Sequence, residues 1–248
     1  MNFVDSYCIF PASSLLHQMI NMNRFYLLLF CVSLILFLSC NYEKGADDEV
    51  NPDTVYFDYK ITGKEGDDNL TVLLQYRNGG EDGDAVSIGK VIMDGEMLSA
   101  DSTKMNGTFY ELHKPIAEFA GKHSIVFTDI NKKDYKEEFN FQPITLLTPI
   151  ADTAQRIDLV FEFQGLETKD YIRVLMTDTS FVNNGINRVD AVINGRLVIT
   201  KADLESLANG PVQLEFIREY AKPVKNGTAA GGKLQLTYSL KREFLLEN

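Results

Sequence analysis

The residues able to do acid–base, metal or nucleophile chemistry are few and scattered. His113 and His123 each sit beside a strand-like run, and neither has a Ser or Cys partner at a catalytic spacing. No G-x-S-x-G or H-E-x-x-H pattern occurs. Two loops are rich in oxygen ligands, Asp67-Asp68-Asn69 and Glu81-Asp82-Gly83-Asp84. Calcium takes about 6–8 such oxygens, but neither loop has the D-x-[DN]-x-[DN]-G register closed by Glu, so both read as solvated turns. Paired carboxylates could hydrolyse a glycosidic bond only if they face one another across a cleft; acidic residues abound, and spacing alone does not show which of them face one another. The expectation is a non-enzymatic protein without metal or cofactor. Sugar binding would need exposed aromatic rings. The chain has no Trp, which leaves Tyr42, Tyr56, Tyr110 and Tyr220 as candidates. Asn69, Asn106 and Asn226 each match Asn-x-Ser/Thr.

Cys40 is the remaining reactive side chain, and its setting is distinctive. Arg24 leads into the charge-free run Phe25–Leu38, which ends in Ser39 and Cys40. A signal sequence has a positive start, an apolar stretch of about 7–15 residues and a small residue at the cut. A membrane-spanning helix needs about 20 apolar residues, and Asn41, Glu43 and Lys44 stop this run short of that. Residues 1–39 therefore read as a signal peptide. The part before Arg24 holds Asp5, Pro11 and His17 with no Lys or Arg, so translation is expected to start at Met22 or Met19.

Phe37-Leu38-Ser39-Cys40 resembles the lipobox of bacterial lipoproteins, with Phe37 bulkier than the Leu preferred there. The resemblance implies that the Cys40 thiol is alkylated with diacylglycerol, that the chain is cut before Cys40, and that the new amino group is acylated. Two or more acyl chains hold a protein stably on a membrane. Residues 40–53 are polar and acidic and read as a flexible tether. Within it, Asp47-Asp48-Glu49 resembles the surface-export signal of Bacteroidota lipoproteins, which implies an outer-membrane protein facing outward.

Composition narrows the folded part. The net charge is −11. Loss of residues 1–39 removes one base, Arg24, and one acid, Asp5, so the balance does not change. Such an acidic exterior disfavours nucleic acid and anionic lipid as partners. Cys8 and Cys31 fall in the signal, so no disulfide can brace the fold.

From Thr54 onward the pattern is that of strands. Val55, Phe57, Tyr59 and Ile61 alternate with polar neighbours, as do Leu70, Val72, Leu74 and Tyr76. Asp94-Gly95 and Asn194-Gly195 predict two-residue hairpin turns. Thr200 and Asp203 predict a capped helical turn. Lys225–Gly232 reads as a mobile loop between two terminal strands. About seven strands in about 90 residues suggest an immunoglobulin-like sandwich. The expected fold is all-β: two tandem immunoglobulin-like sandwiches over residues 54–143 and 144–248. The order V-I-M-D-G-E, F-A-G, strand in the first stretch and A-V-I-N-G-R, L-A-N-G, strand in the second suggests a duplicated module. The expected role is binding a partner protein or glycan through sandwich loops. The alternative is an adhesive subunit that pairs by an edge strand, for which Leu234–Tyr238 is the candidate edge.

Overall fold

The computed structural model describes residues 50–179 and 185–248, all within one compact unit, Ala46–Asn248. The signal stretch, Tyr42, Cys40 and the Asp47-Asp48-Glu49 block lie outside the described residues. The chain is all-β there, apart from a 3-10 turn at Pro52–Thr54 and one short helix. That turn replaces the last residues of the expected flexible tether. The Asn51 side chain accepts the Asp53 N–H, and Thr54 donates to Asn51 O and to Asn78 Oδ1.

Residues 55–141 form a two-sheet sandwich. One sheet has the order β1 (Val55–Lys64), β2 (Asn69–Asn78), β7 (Gly107–Pro115), β6 (Asp101–Thr103), with β3 (Asp84–Ala85) also on β2. The other has the order β5 (Glu96–Met97), β4 (Lys90–Met93), β8 (Gly121–Thr128), β9 (Asp134–Phe141). This is the four-against-three-or-four strand order of an immunoglobulin-like domain. Inward residues alternate as the sequence predicts. Phe57 of β1 meets Phe127 of β8 at 5.3 Å and Tyr135 of β9 at 5.6 Å, both edge-on. Tyr76 stacks on Phe127 at 4.5 Å. Asp94 and Gly95 both have positive φ, 49° and 88°, the hairpin geometry expected of Asp-Gly.

The second half has the same two-layer logic. One layer is β10 (Thr145–Leu146), β12 (Leu159–Gln164), β15 (Arg196–Ile199). The other is β14 (Ile186–Ile193), β13 (Lys169–Asp178), β16 (Gly210–Thr228), β17 (Gly231–Glu247), with β11 (Thr153–Gln155) beside β17. Phe161 and Phe163 of β12 each approach Phe216 of β16 at 5.0 Å across the core. The layers meet at a single corner pair, Ile193↔Arg196, around Asn194-Gly195. Helix α1 (Lys201–Glu205) follows, with a reciprocal capping box between Thr200 and Asp203. Ile157 precedes β12 and is 58% exposed.

The suggested repeat does not align by position. V-I-M-D-G-E joins neighbours in one sheet, β4 and β5. A-V-I-N-G-R turns the corner between two layers. Only the strands that follow, β8 and β16, hold matching inner places.

The largest departure from expectation is the terminal hairpin. β16 and β17 are 19 and 17 residues long, roughly 60 Å at about 3.3 Å per residue. Their base belongs to the second sandwich, where β16 pairs with β13. Their outer part lies on the first, where β17 pairs with β1 in parallel from Phe57↔Gly232 to Lys64↔Ser239. The hairpin therefore crosses the sequence division at residue 143. Lys225–Gly232, expected as a loop, is mostly strand, with the chain reversing between Thr228 and Gly231 after a register shift. Tertiary partners supply what local composition lacks. Thr228 donates to Val55 O at 2.5 Å, and Asn226 Nδ2 to Lys136 O at 2.9 Å. At Gly232 a Cβ would stand 2.7 Å from Phe57 Cβ, so this glycine serves a close strand approach and not flexibility.

Candidate binding cleft at the waist

His123 is held on both sides: Nδ1 lies 2.7 Å from Asp94 Oδ2, and Nε2 lies 2.7 Å from Phe119 O. Its ring stacks on Phe119 at 3.8 Å. It locks the β4–β5 turn to β8. His113 is exposed on β7, 3.3 Å from Thr71 Oγ1 and 3.5 Å from Glu111. Asp67 and Asp68 lie between β1 and β2 and Asn69 opens β2, while Glu81, Asp82 and Gly83 lie between β2 and β3 and Asp84 opens β3; among the described residues no three His, Cys, Asp or Glu side chains group as a metal site. Tyr110 is buried at 3% exposure in the aromatic core, 5.7 Å from Tyr76. Tyr56 is half-buried, and burial, then Glu81 and Asp58, push its hydroxyl pKa up. Of the described tyrosine candidates only Tyr220 offers a largely open ring, 49% exposed. Asn69, Asn106 and Asn226 are exposed, and Asn226 is committed to Lys136.

Tyr220 opens onto a cleft of about 630 Å³ at the waist between the two sandwiches. Three stretches build it: the end of β9 with Gln142, the turn from Gly165 to Tyr171, and the middle of the hairpin. Pockets of about 300–1,000 Å³ at domain junctions are the usual home of small ligands. Tyr171, at the head of β13, is the second open ring at 50% exposure. It points outward because its neighbour Ile172 is wholly buried, and side chains alternate along a strand.

Arg218 is the staple of this cleft. Its Nη2 lies 2.7 Å from Asp170 Oδ2. Its Nη1 donates to Gln142 O at 3.4 Å and Gly165 O at 3.3 Å. One guanidinium thus ties the hairpin to the inter-sandwich linker and to the turn before β13. Asp170 in turn accepts the N–H groups of Tyr171 and Glu167 at 2.8 and 3.4 Å. The glycine at 165 is required: its φ is +88°, and a Cβ would stand 2.3 Å from Pro143 O.

A second tie lies further along the hairpin. Lys222 Nζ is 2.6 Å from Glu137 Oε1, and Glu137 is only 2% exposed. Glu137 Oε2 accepts the Lys225 N–H at 2.8 Å, and Lys222 also donates to Glu138 O at 3.0 Å. Together these bonds fasten the hairpin across the open side of the first sandwich. On the cleft floor Tyr238 meets Phe141 edge-on at 6.1 Å. Burial pushes the Tyr238 hydroxyl pKa up, with Glu65 and Asp67 adding to it.

Of these residues, the sequence singled out Tyr220 alone. The outward phase of Tyr171 was available from its alternation with Ile172 and Val174. Nothing local marks Arg218 or Asp170, which lie far apart in sequence and meet only because the hairpin folds back.

The edge candidate is placed otherwise than expected. Leu234–Tyr238 is an inner strand, paired with β1 on one side and β16 on the other. Two eight-residue strands lie at sheet edges: β9 pairs with β8 and its carbonyls at Glu138 and Lys136 accept from Lys222 and Asn226 of the hairpin, and β14 pairs along its length with β13 and meets β15 at one position. The inner face of β14 carries Arg188 and Asp190, paired with each other and, for Arg188, with Asp203. Inward charges of this kind blunt an edge.

No family model and no curated protein matches the chain. Solved structures that align with it include a 1.5-MDa bacterial ice-binding adhesin studied for host cell surface retention, at 12% identity over 80% of this chain and 67% of that one, TM-score 0.24. Another is SGBP-B of the Bacteroides ovatus mixed-linkage glucan utilization locus in complex with a mixed-linkage heptasaccharide, at 12% identity over 80% of this chain, TM-score 0.23. This chain spans 46% of that protein's length. A third is an I-band fragment of titin, at 10% identity over 75% of this chain and 65% of that one, TM-score 0.26. Overlays this loose carry nothing about function, and the fold rests on the strand order itself.

Proposed function

We propose that the chain is a lipid-anchored, non-catalytic binding protein of the cell envelope that takes its ligand in the waist cleft. The observation that carries the binding reading is the cleft, with two half-exposed tyrosines on walls tied together by Arg218. The ligand is a glycan or a partner protein of the envelope, and no nucleic acid is expected at an acidic surface. Anchorage is assigned to acyl chains on Cys40, and outward display on the outer membrane to Asp47, Asp48 and Glu49. The two sandwiches are taken as residues 54–143 and 144–248, sharing the terminal hairpin. Among the described residues no helix is long and apolar enough to cross a membrane. Edge-strand adhesion is the weaker reading, because Leu234–Tyr238 is paired on both sides and β14 is blunted by charge.

The test is photo-crosslinking in intact cells. A p-benzoylphenylalanine replacing Tyr220 should capture an envelope component, and the same group replacing the exposed Lys104 should not. Equal labelling at both positions, or none at 220, refutes the cleft as the binding site.

A further inference from the structure

We infer that the ligand of the waist cleft is a neutral oligosaccharide, held by stacking on Tyr171 and Tyr220. The inference rests on the cleft being the binding site and adds the ligand's chemical class.

Five charged side chains line the cleft: Glu167, Lys169, Asp170, Arg218 and Lys222. Asp170 neutralises Arg218 at 2.7 Å. The buried Glu137 neutralises Lys222 at 2.6 Å. Glu167 and Lys169 remain at the rim, one of each sign and both exposed. The cleft therefore has no excess charge on a chain whose net charge is −11. A phosphate, a polyuronate or an acidic peptide would meet no concentration of positive charge there, and a cation would meet no concentration of negative charge.

Tyr171 and Tyr220 present flat apolar rings with a polar tip, each about half open. Lys169 Nζ lies 5.9 Å from the centre of the Tyr171 ring. Around them stand the exposed amides of Asn140 and Gln142 and the half-buried Thr237. An amide both donates and accepts hydrogen bonds, as a hydroxyl ligand requires. A sugar ring has an apolar C–H face and a periphery of hydroxyls, and this surface offers a complement to each. A protein partner would ask instead for a desolvated apolar centre, whereas the apolar rings here are separate and rimmed by polar groups.

The experiment uses the full chain purified in detergent. It is run by native electrophoresis through gels containing soluble neutral polysaccharides (a mixed-linkage β-glucan, an α-glucan, a xylan and a galactomannan), with heparin and alginate as charged counterparts. At least one neutral polysaccharide should retard the protein. Tyr171→Ala and Tyr220→Ala should each weaken that binding about tenfold or more, Tyr220→Phe, which keeps the ring, should weaken it less than Tyr220→Ala, and Met105→Ser, far out on an exposed turn, should leave it intact. Both tyrosines are half in solvent, and a thermal melt of each variant checks that it folds. The proposal is overturned if no neutral polysaccharide retards the protein, if only heparin or alginate does, or if both alanine variants bind like the parent. If crosslinking at 220 captures a protein while every polysaccharide is inert, the cleft remains the binding site and the sugar assignment is wrong. If crosslinking at 220 captures nothing, the cleft reading has failed as well.

Discussion

The tie between Glu137 and Lys222 makes a quantitative prediction about the hairpin. Glu137 is almost fully buried, and its carboxylate has two partners, the Lys222 ammonium and the Lys225 N–H. Lys222→Met leaves a buried carboxylate with one N–H. Breaking a buried pair from one side costs about 3–5 kcal/mol. Lys222 keeps 17% of its side chain exposed, so the lower end of that range applies. Glu137→Gln is gentler. The amide can still accept from Lys225, and Lys222 retains Glu138 O at 3.0 Å and access to water. Its cost should be about 1.5–2 kcal/mol, the low end of the range for a lost interaction with a charged group. The double variant Glu137→Leu with Lys222→Met replaces the pair by apolar groups and should fall within about 1 kcal/mol of the parent. Urea unfolding of the four proteins, read by tyrosine fluorescence and far-ultraviolet dichroism, measures all of this. Single variants within about 0.5 kcal/mol of the parent, or a double variant as unstable as the summed singles, would refute the claim that this pair fastens the hairpin to the first sandwich.

Three further outcomes are expected. Cys40→Ala should abolish incorporation of labelled palmitate and release the protein from membranes, and labelling that persists would remove the anchor assignment. Gly165→Ala forces a side chain into a left-handed conformation and against Pro143 O, so it should cost about 2 kcal/mol or more and loosen the cleft, seen as faster hydrogen exchange at residues 165–170. Asp203 is held well below the usual carboxylate range, chiefly by hydrogen bonding to Arg188, against the effect of its burial. Its contribution is complete above about pH 4 and is lost as pH falls towards its lower folded value. Asp203→Asn should therefore lower the Tm at neutral pH and flatten its decline below about pH 4, and an unchanged acid slope would contradict this.

The sandwiches were legible because their signals are local. Alternation along Val55–Ile61 and Leu70–Tyr76 sets the inner face of β1 and β2 without reference to anything distant. Asp94-Gly95 and Asn194-Gly195 specify positive φ at both turn residues, and the structure has it. Thr200 and Asp203 sit at capping distance and close the full box. What failed was long-range. Lys225–Gly232 looks like a loop because Gly and small residues loosen an isolated chain. Here they let β17 lie close against β1, across a separation of 173 residues between Thr228 and Val55. The cleft was illegible for the same reason. Arg218, Asp170 and Gln142 each look like ordinary surface residues until the hairpin brings them together.

The parallel pairing of β1 with β17 also bears on how the protein is made. β1 leaves the ribosome long before its outer neighbour β17. Until residues 232–239 arrive, β1 keeps a row of unpaired backbone groups along a strand whose side chains include Phe57, Tyr59 and Ile61. Such an edge is a template for any strand that reaches it first, including the same segment of another copy. The first sandwich therefore depends for its completion on a stretch of chain synthesised long after its own strands. A product cut short within the final hairpin would lose more than one layer of the second sandwich, because it would leave the first open to misassembly.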